Sequence, residues 1–276
     1  MRTLDGIIFV KKTEYSLCHI TNFSDTLKSI LRKQLSFICY GKSSSESGLN
    51  IYNYKNTLKE FLTRYEPTSY DLKLGMIGEL LAHVIINEYF NEYNIATPFF
   101  NKEERNIKKG FDIVLCEKLD YSIWITEIKS GELHIRKDSD QTTSDLLDTA
   151  KRDLIRRLNE SNNSSLWLNA INDAKLVFDK YTDLKDAVVR ILADYGVNDD
   201  TENSNKSSDI NVFLISTLFA SLSNPITEAN IQNKLKAFQS ENKFNKLFIL
   251  SLQKSTYNKI YRFLKEEVKS AENIDS

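Results

Sequence analysis

Two apolar stretches decide the fold, Gly110-Phe-Asp-Ile-Val-Leu-Cys116 and Ile123-Trp-Ile-Thr-Glu-Ile-Lys129, and the polar segment 117–122 separates them. Aliphatic and aromatic residues dominate both stretches, and a short polar connection between two such stretches is typical of a β-hairpin. Both faces of the hairpin are largely apolar, which favours a sheet that is covered on both sides. A charged side chain within these stretches is therefore costly unless it has a partner.

Three charged side chains nevertheless lie on this hairpin: Asp112, Glu127 and Lys129. Pairing outward from the turn places Asp112 opposite Glu127, and Lys129 lies two residues further along on the same face as Glu127. Two facing carboxylates repel each other unless a cation lies near them. The cation is Lys129, a metal ion, or both. A structural cluster in which Lys129 alone neutralises the two acids is the alternative without metal.

The same three residues suit a divalent ion, Mg²⁺ or Mn²⁺. Mg²⁺ prefers a few carboxylate oxygens and keeps several waters, which leaves positions for phosphate oxygens and an attacking water. We expect Asp112 and Glu127 to be ligands, with the backbone carbonyl of Ile128 as a third. Lys129 is expected to orient the water and to offset negative charge in the transition state. The hairpin is thus interpreted as the site of a metal-dependent nuclease.

The segment before the hairpin predicts a long buried helix. Thr68 and Asp71 have capping-box spacing, so we expect the helix to begin there and to end near residue 90. Its apolar residues cover most of the circumference, which is typical of a buried helix: Leu80, Leu81, Val84, Ile85, Ile86 and Phe90.

Glu79, in the first half of this helix, is the fourth predicted site residue. Gly75 and Gly78 each lower helix stability by roughly 1 kcal/mol, which indicates close packing or the approach of a ligand at these positions. Glu79 follows directly and is expected to be a further metal or water ligand; the alternative is a partly solvated charge. His83, one turn later, fits a hydrogen-bonded core histidine better than a ligand.

These groups, on a helix, a strand and the next strand, resemble the PD-(D/E)xK nuclease superfamily, which includes restriction-like endonucleases. The motifs Gly78-Glu-Leu-Leu81, Gly110-Phe-Asp112 and Thr126-Glu-Ile-Lys129 look most like HamA (DUF1837), the nuclease subunit of the bacterial Hachiman antiphage system. The resemblance implies a mixed α/β fold with a restriction-endonuclease-like core, in which helices flank a mixed sheet. It also implies DNA as the substrate, and a HamB-like helicase subunit as the partner that supplies ATP-driven unwinding.

The remaining pattern predicts three parts: an N-terminal lobe (1–66), the nuclease core (67–195) and a C-terminal β-α-β-α segment (210–276). The C-terminal segment alternates apolar strand candidates with helical spacing, as a β-α-β-α unit does. From the sequence, this segment either extends the nuclease sheet or packs as a separate module.

After the hairpin, segment 132–142 is polar and charged, and we expect a loop that can contact substrate. A helix is predicted from Ser144 to Leu158, with Ser144 as its N-cap. Four cations in its second half form either a phosphate-binding ridge or a solvated face that complements the helix dipole: Lys151, Arg152, Arg156 and Arg157.

Composition sets wider bounds on function. The chain has 276 residues and a net charge of −1, so a nuclease of this kind needs a local basic patch or a partner that delivers the substrate. Three cysteines and three histidines are scattered, which argues against a zinc site or a disulfide framework. Neither a charged leader nor an apolar run near the ~20 residues of a membrane span is present. We therefore expect a cytoplasmic protein with no membrane partner, and the missing phosphate loop argues against ATP hydrolysis.

Two other functions fit the same residues. One is a noncatalytic DNA-binding or adaptor subunit in which the acid and lysine cluster is structural. The other is a nuclease that acts on RNA, because a metal site addresses the phosphate and not the sugar.

Overall fold

One mixed seven-stranded sheet organises the computed structural model of the chain, which describes residues 4–100, 110–160, 163–196 and 206–273. The strands are β1 (Ile7–Lys11), β2 (Tyr15–Ile20), β3 (Tyr93–Ile95), β4 (Ile113–Glu117), β5 (Ile123–Glu132), β6 (Asn211–Phe219) and β7 (Lys246–Lys254). Their order across the sheet is β1-β2-β7-β6-β5-β4-β3. The four middle strands are parallel, whereas β1, β4 and β3 are antiparallel to their neighbours.

Helices cover both faces of this sheet, as the apolar hairpin predicts. They are α1 (Asp25–Tyr40), α2 (Lys42–Ser45), α3 (Tyr54–Tyr65), α4 (Tyr70–Tyr89), α5 (Ser139–Asn159), α6 (Ser164–Val177), α7 (Thr182–Gly196), α8 (Glu228–Ser240) and α9 (Asn258–Asn273). Buried residues of α1, α3, α4 and α9 pack with Ile113 and Leu115 on one face. Those of α5 to α8 pack with Val114 and Ile125 on the other. The predicted mixed α/β fold is therefore confirmed. None of the described helices is both long and apolar enough to cross a bilayer.

The hairpin of β4 and β5 has the predicted register. Val114 lies opposite Ile125, and Cys116 lies opposite Ile123. The paired region ends where Ile113 meets Thr126. The three charged positions of the hairpin therefore lie at or just beyond the end of the β4–β5 ladder.

The C-terminal strands extend the same sheet. β6 pairs in parallel with β5 along its length, from Trp124 opposite Asn211 to Glu132 opposite Phe219. β7 pairs with β6, and β2 near the N-terminus pairs with β7. Strands from all three predicted parts thus contribute to one sheet. The C-terminal segment therefore extends the sheet of the core, and the alternative that it forms a separate module with its own sheet is wrong.

The N-cap of helix α4 lies one residue later than predicted. Ser69 is the N-cap, and its hydroxyl accepts a hydrogen bond from the N–H of Leu72. The hydroxyl of Thr68 instead donates to the carbonyl of Tyr65, at 2.8 Å, at the end of the preceding helix. Thr68 is therefore occupied by the helix it follows, which the spacing to Asp71 does not reveal.

Helix α5 begins five residues earlier than predicted, so Ser144 is not its N-cap. Asp138 is the N-cap and forms a capping box with Gln141. The predicted loop 132–142 is in fact helical from Ser139 onward. Apolar periodicity missed this first turn because its buried side chains are polar: Ser139, Thr142 and Thr143.

Candidate active site

Glu127 and Lys129 lie on the face of β5 that α5 covers. Ile125 packs with Leu147 and Leu154 of α5, and alternate strand residues share a face. The ion pairs agree with this placement, because Lys129 and Glu127 both contact charged side chains of α5. The predicted acid and lysine pair is therefore enclosed between a strand and a helix.

Asp112 is fixed beside this pair by a backbone contact. Its Oδ2 accepts a hydrogen bond from the N–H of Ile128 at 2.7 Å. This N–H belongs to the peptide group that follows Glu127, so the two acidic residues are joined where the β4–β5 ladder ends. A carboxylate acceptor at this position makes a charge-assisted hydrogen bond, which is stronger than a neutral one. The structure thus brings Asp112, Glu127 and Lys129 together, as predicted.

Glu127 is a buried carboxylate with a cation at each oxygen. The residue is 2 % exposed. Its Oε1 lies 2.9 Å from Nζ of Lys129, and its Oε2 contacts the guanidinium of Arg157. A buried carboxylate is destabilising unless such partners compensate its lost hydration. The site is therefore electrostatically dependent on both cations.

Helix α5 contributes two charged residues to the site, Asp153 and Arg157, from positions one turn apart. Asp153 Oδ2 lies 3.0 Å from Nζ of Lys129, and Arg157 reaches Glu127. Arg157 also donates from Nη1 to the carbonyl of Gly110 at 3.0 Å. Charges therefore alternate in sign from Asp153 through Lys129 and Glu127 to Arg157, and they connect α5 to both sides of the hairpin.

Sequence reasoning missed Asp153 and misjudged Arg157, which it grouped with three other cations. Those cations do not form one ridge with Arg157: Arg152 and Arg156 are 69 % and 65 % exposed, and Lys151 pairs with Glu241 at 2.5 Å. One signal could have found the inward pair. Asp153 and Arg157 are four residues apart and adjoin an apolar stripe that faces the sheet: Leu147, Ala150, Leu154 and Leu158.

The helix that carries Glu79 lies on a different side of the sheet. Helix α4 packs with Ile113 and Leu115, on the face opposite α5. The Oε1 of Glu79 lies 3.9 Å from Nε2 of His83, a histidine that is fully buried as predicted. The structure therefore does not group Glu79 with Glu127, and its role as a ligand stays a prediction.

The two helix glycines have different surroundings. A Cβ on Gly78 would lie 2.7 Å from the Cβ of Ser130 on β5 and 3.2 Å from the Cβ of Thr217 on β6. A Cβ on Gly75 would meet nothing within 4 Å. Close packing is thus confirmed for Gly78 and is wrong for Gly75. This contact brings α4 against the second half of β5, beyond Lys129.

The carboxylates of Asp112 and Glu127 and the backbone carbonyl of Ile128 are the predicted donors for a metal ion at the hairpin. Among the described residues, no three His, Cys, Asp or Glu side chains form a group that could hold a metal. Mg²⁺ does not need such a group, because it binds through one or two carboxylates and retains water. Asp112 and Glu127, joined through the N–H of Ile128, fit this sparse donor set.

A mixed sheet between helices, with two carboxylates and a lysine at the end of an antiparallel ladder, is consistent with the PD-(D/E)xK class. The chain belongs to the HamA family: the family model described as HamA matches residues 7–268, from β1 into α9. The match confirms the resemblance seen in the motifs, and family membership suggests a role in antiphage defence. No curated protein matches the chain.

Proposed function

We propose that the protein is a metal-dependent nuclease that cleaves DNA phosphodiester bonds. In this proposal it is the effector subunit of a bacterial antiphage complex, and a HamB-like helicase partner regulates it. One observation carries the proposal: Asp112, Glu127 and Lys129 converge at the end of the β4–β5 ladder in a chain of the HamA family.

Asp112 and Glu127 would hold Mg²⁺ or Mn²⁺, with the carbonyl of Ile128 as the third protein ligand. When bound, such an ion supplies a Lewis acid for the phosphate and lowers the pKa of a coordinated water. The hydrogen bond from Ile128 orients the carboxylate of Asp112 before any ion arrives. Such preorganisation reduces the cost of assembling the site. Glu79, from α4, is proposed as a further metal or water ligand.

Lys129 is proposed to orient the attacking water and to balance charge on the phosphate. Its ammonium lies 2.9 Å from Glu127 and 3.0 Å from Asp153, so two acids hold it in place. Its side chain is 28 % exposed, whereas that of Glu127 is 3 % exposed. Lys129 is thus the member of the pair that solvent or a phosphate can reach. A cation held at this position can stabilise the charge that develops on a phosphoryl oxygen.

The charge of the chain supports a partner that delivers the substrate. A net charge of −1 gives little long-range attraction to DNA. A helicase that grips and unwinds DNA would bring single or double strands to the site. In this arrangement the nuclease needs only local contacts to phosphates.

A cleavage assay tests the proposal directly. The purified chain, alone and with its helicase partner, is incubated with labelled DNA or RNA in Mg²⁺ or in EDTA. Glu127→Gln and Lys129→Met should each lower the rate by roughly 100-fold or more, as loss of a transition-state contact does. Lys243→Met is the matched control, because Lys243 is exposed in the α8–β7 connection, and it should cleave normally. Full cleavage by both site variants would refute the assignment.

A noncatalytic adaptor or DNA-binding subunit is the second candidate. Two observations favour it: both oxygens of Glu127 pair with cations, and Lys129 pairs with a second acid. A structural salt-bridge cluster has the same contacts. In that case EDTA changes nothing, no substrate is cut, and Glu127→Gln lowers only the stability of the fold. Cleavage of RNA in preference to DNA would instead retain the chemistry and change the substrate.

A further inference from the structure

Arg157 contacts a carboxylate oxygen that a metal ion at the proposed site would need. Its guanidinium contacts Oε2 of Glu127 and donates to the carbonyl of Gly110, which lies two residues before Asp112. It therefore spans from β5 to the segment that carries the second acid. An ion shared by Asp112 and Glu127 has to lie in this same region. A guanidinium and a divalent cation repel each other at close range, so a guanidinium on a carboxylate oxygen lowers the affinity of that oxygen for the ion.

Of the two cations on Glu127, Arg157 is the one that depends on this carboxylate. Lys129 has a second acidic partner in Asp153, at 3.0 Å. The second partner of Arg157 is a neutral carbonyl, and the described residues offer it no other acid. Lys129 can thus stay in place when Glu127 turns to a new ligand. Arg157 loses its ion pair but keeps the hydrogen bond to Gly110, which holds it at the edge of the site.

We infer that Arg157 is the resting counter-ion of the metal site: it holds Oε2 of Glu127 until a divalent ion binds, and it must release this oxygen first. The inference rests on the proposed function, since it concerns the same site. It gives Arg157 the role of a residue that lowers metal affinity and keeps the buried carboxylate neutralised at rest. Burial makes this role necessary, because an uncompensated carboxylate at this position would be strongly destabilising.

Isothermal titration calorimetry with MgCl₂ or MnCl₂ on the purified chain tests the inference without reference to activity. Arg157→Met removes the charge and keeps an apolar stem, and Arg157→Gln keeps a donor for Gly110. Each variant should bind the ion about tenfold more tightly than the wild type, since a partly buried ion pair no longer competes. Circular dichroism establishes that each variant is folded.

Arg156→Met is the matched control. It removes one positive charge from the neighbouring position of α5, but its side chain is exposed and lies 4.0 Å from Glu160. Its affinity for the ion should stay within about twofold of the wild type, because exposed charges are screened. Glu127→Gln should lose binding, alone and in combination with Arg157→Met.

The outcomes separate this inference from the function on which it rests. Unchanged or weaker binding by both Arg157 variants overturns the inference, while binding that Glu127→Gln abolishes still supports the nuclease site. Equal tightening by Arg156→Met and Arg157→Met also overturns it, because the effect would then be one of overall charge. Absence of binding by every protein overturns both the inference and the metal-dependent function.

Discussion

Substitution of Gly78 by alanine tests how tightly α4 is pressed against the strand that carries the site. A Cβ at this position would lie 2.7 Å from the Cβ of Ser130 and even closer to its Oγ. Rotation of the hydroxyl can relieve only the contact with Oγ. The Cβ of Ser130 is fixed to the backbone of β5, and the Cβ of Thr217 on β6 is 3.2 Å away. The helix or the sheet must therefore move.

The expected magnitude is the difference between two terms. Insertion of a methyl group into a well-packed interior costs roughly 1 to 3 kcal/mol. Replacement of glycine by alanine inside a helix returns about 1 kcal/mol. At such a close contact the first term should be near its upper end, so Gly78→Ala should lower the free energy of unfolding by about 1 to 2 kcal/mol.

Gly75→Ala provides the matched control in the same helix, because its new Cβ would meet nothing within 4 Å. This variant gains the helix propensity without the clash, and should be about 0.5 to 1 kcal/mol more stable than the wild type. Urea unfolding followed by circular dichroism gives both values from the shift of the midpoint at constant slope. If the two alanine variants are equally stable, the close approach of α4 to β5 is refuted.

Three further predictions concern a buried lysine and two helix caps. Burial lowers the pKa of Lys254 to about 8. Between about pH 8 and pH 10.5 the unfolded chain therefore binds more protons than the folded protein, so the free energy of unfolding should rise with pH. Lys254→Met should remove this rise and stabilise the protein at pH 7 by roughly 1 to 3 kcal/mol, measured by urea unfolding. If the variant keeps the pH dependence of the wild type, the prediction for Lys254 is wrong. Ser69→Ala should cost about 1 kcal/mol and Thr68→Ala less, with thermal unfolding as the measurement; the reverse order would restore Thr68 as the cap. Asp138→Ala should lower stability by about 1 kcal/mol in the same assay, whereas Ser144→Ala should cost less because Ser144 lies inside α5.

The parts of the fold that the sequence predicts are those set by local geometry. The register of β4 and β5 follows from the position of the polar turn, because pairing has to proceed outward from it. β2 and β3 were not predicted. In β2, Ser16 and His19 interrupt the apolar pattern, and one of its partners, β7, lies more than 200 residues further along the chain. β3 has only three residues, too few for a periodic pattern.

The same distinction between local geometry and tertiary packing applies to the residues of the candidate site. Asp112, Glu127 and Lys129 belong to one hairpin, so sequence spacing is enough to bring them together. Arg157 and Asp153 come from a helix that reaches the hairpin only through tertiary packing, and its rotation about its own axis decides which cations face inward. Glu79 is carried by a helix whose buried residues pack on the other face of the sheet, so motif order alone does not decide its role, which stays a prediction.

The two cations that contact Glu127 differ in what else holds them. Lys129 is also 3.0 Å from Asp153, and Arg152 lies 3.9 Å from the other oxygen of Asp153, so this side of the site is a connected set of ion pairs. Arg157 has the neutral carbonyl of Gly110 as its second partner. An ion that binds Oε2 of Glu127 would therefore replace one ion pair, that with Arg157, and leave the pairs of Lys129 in place. Until then, Arg157 compensates the lost hydration of the buried carboxylate.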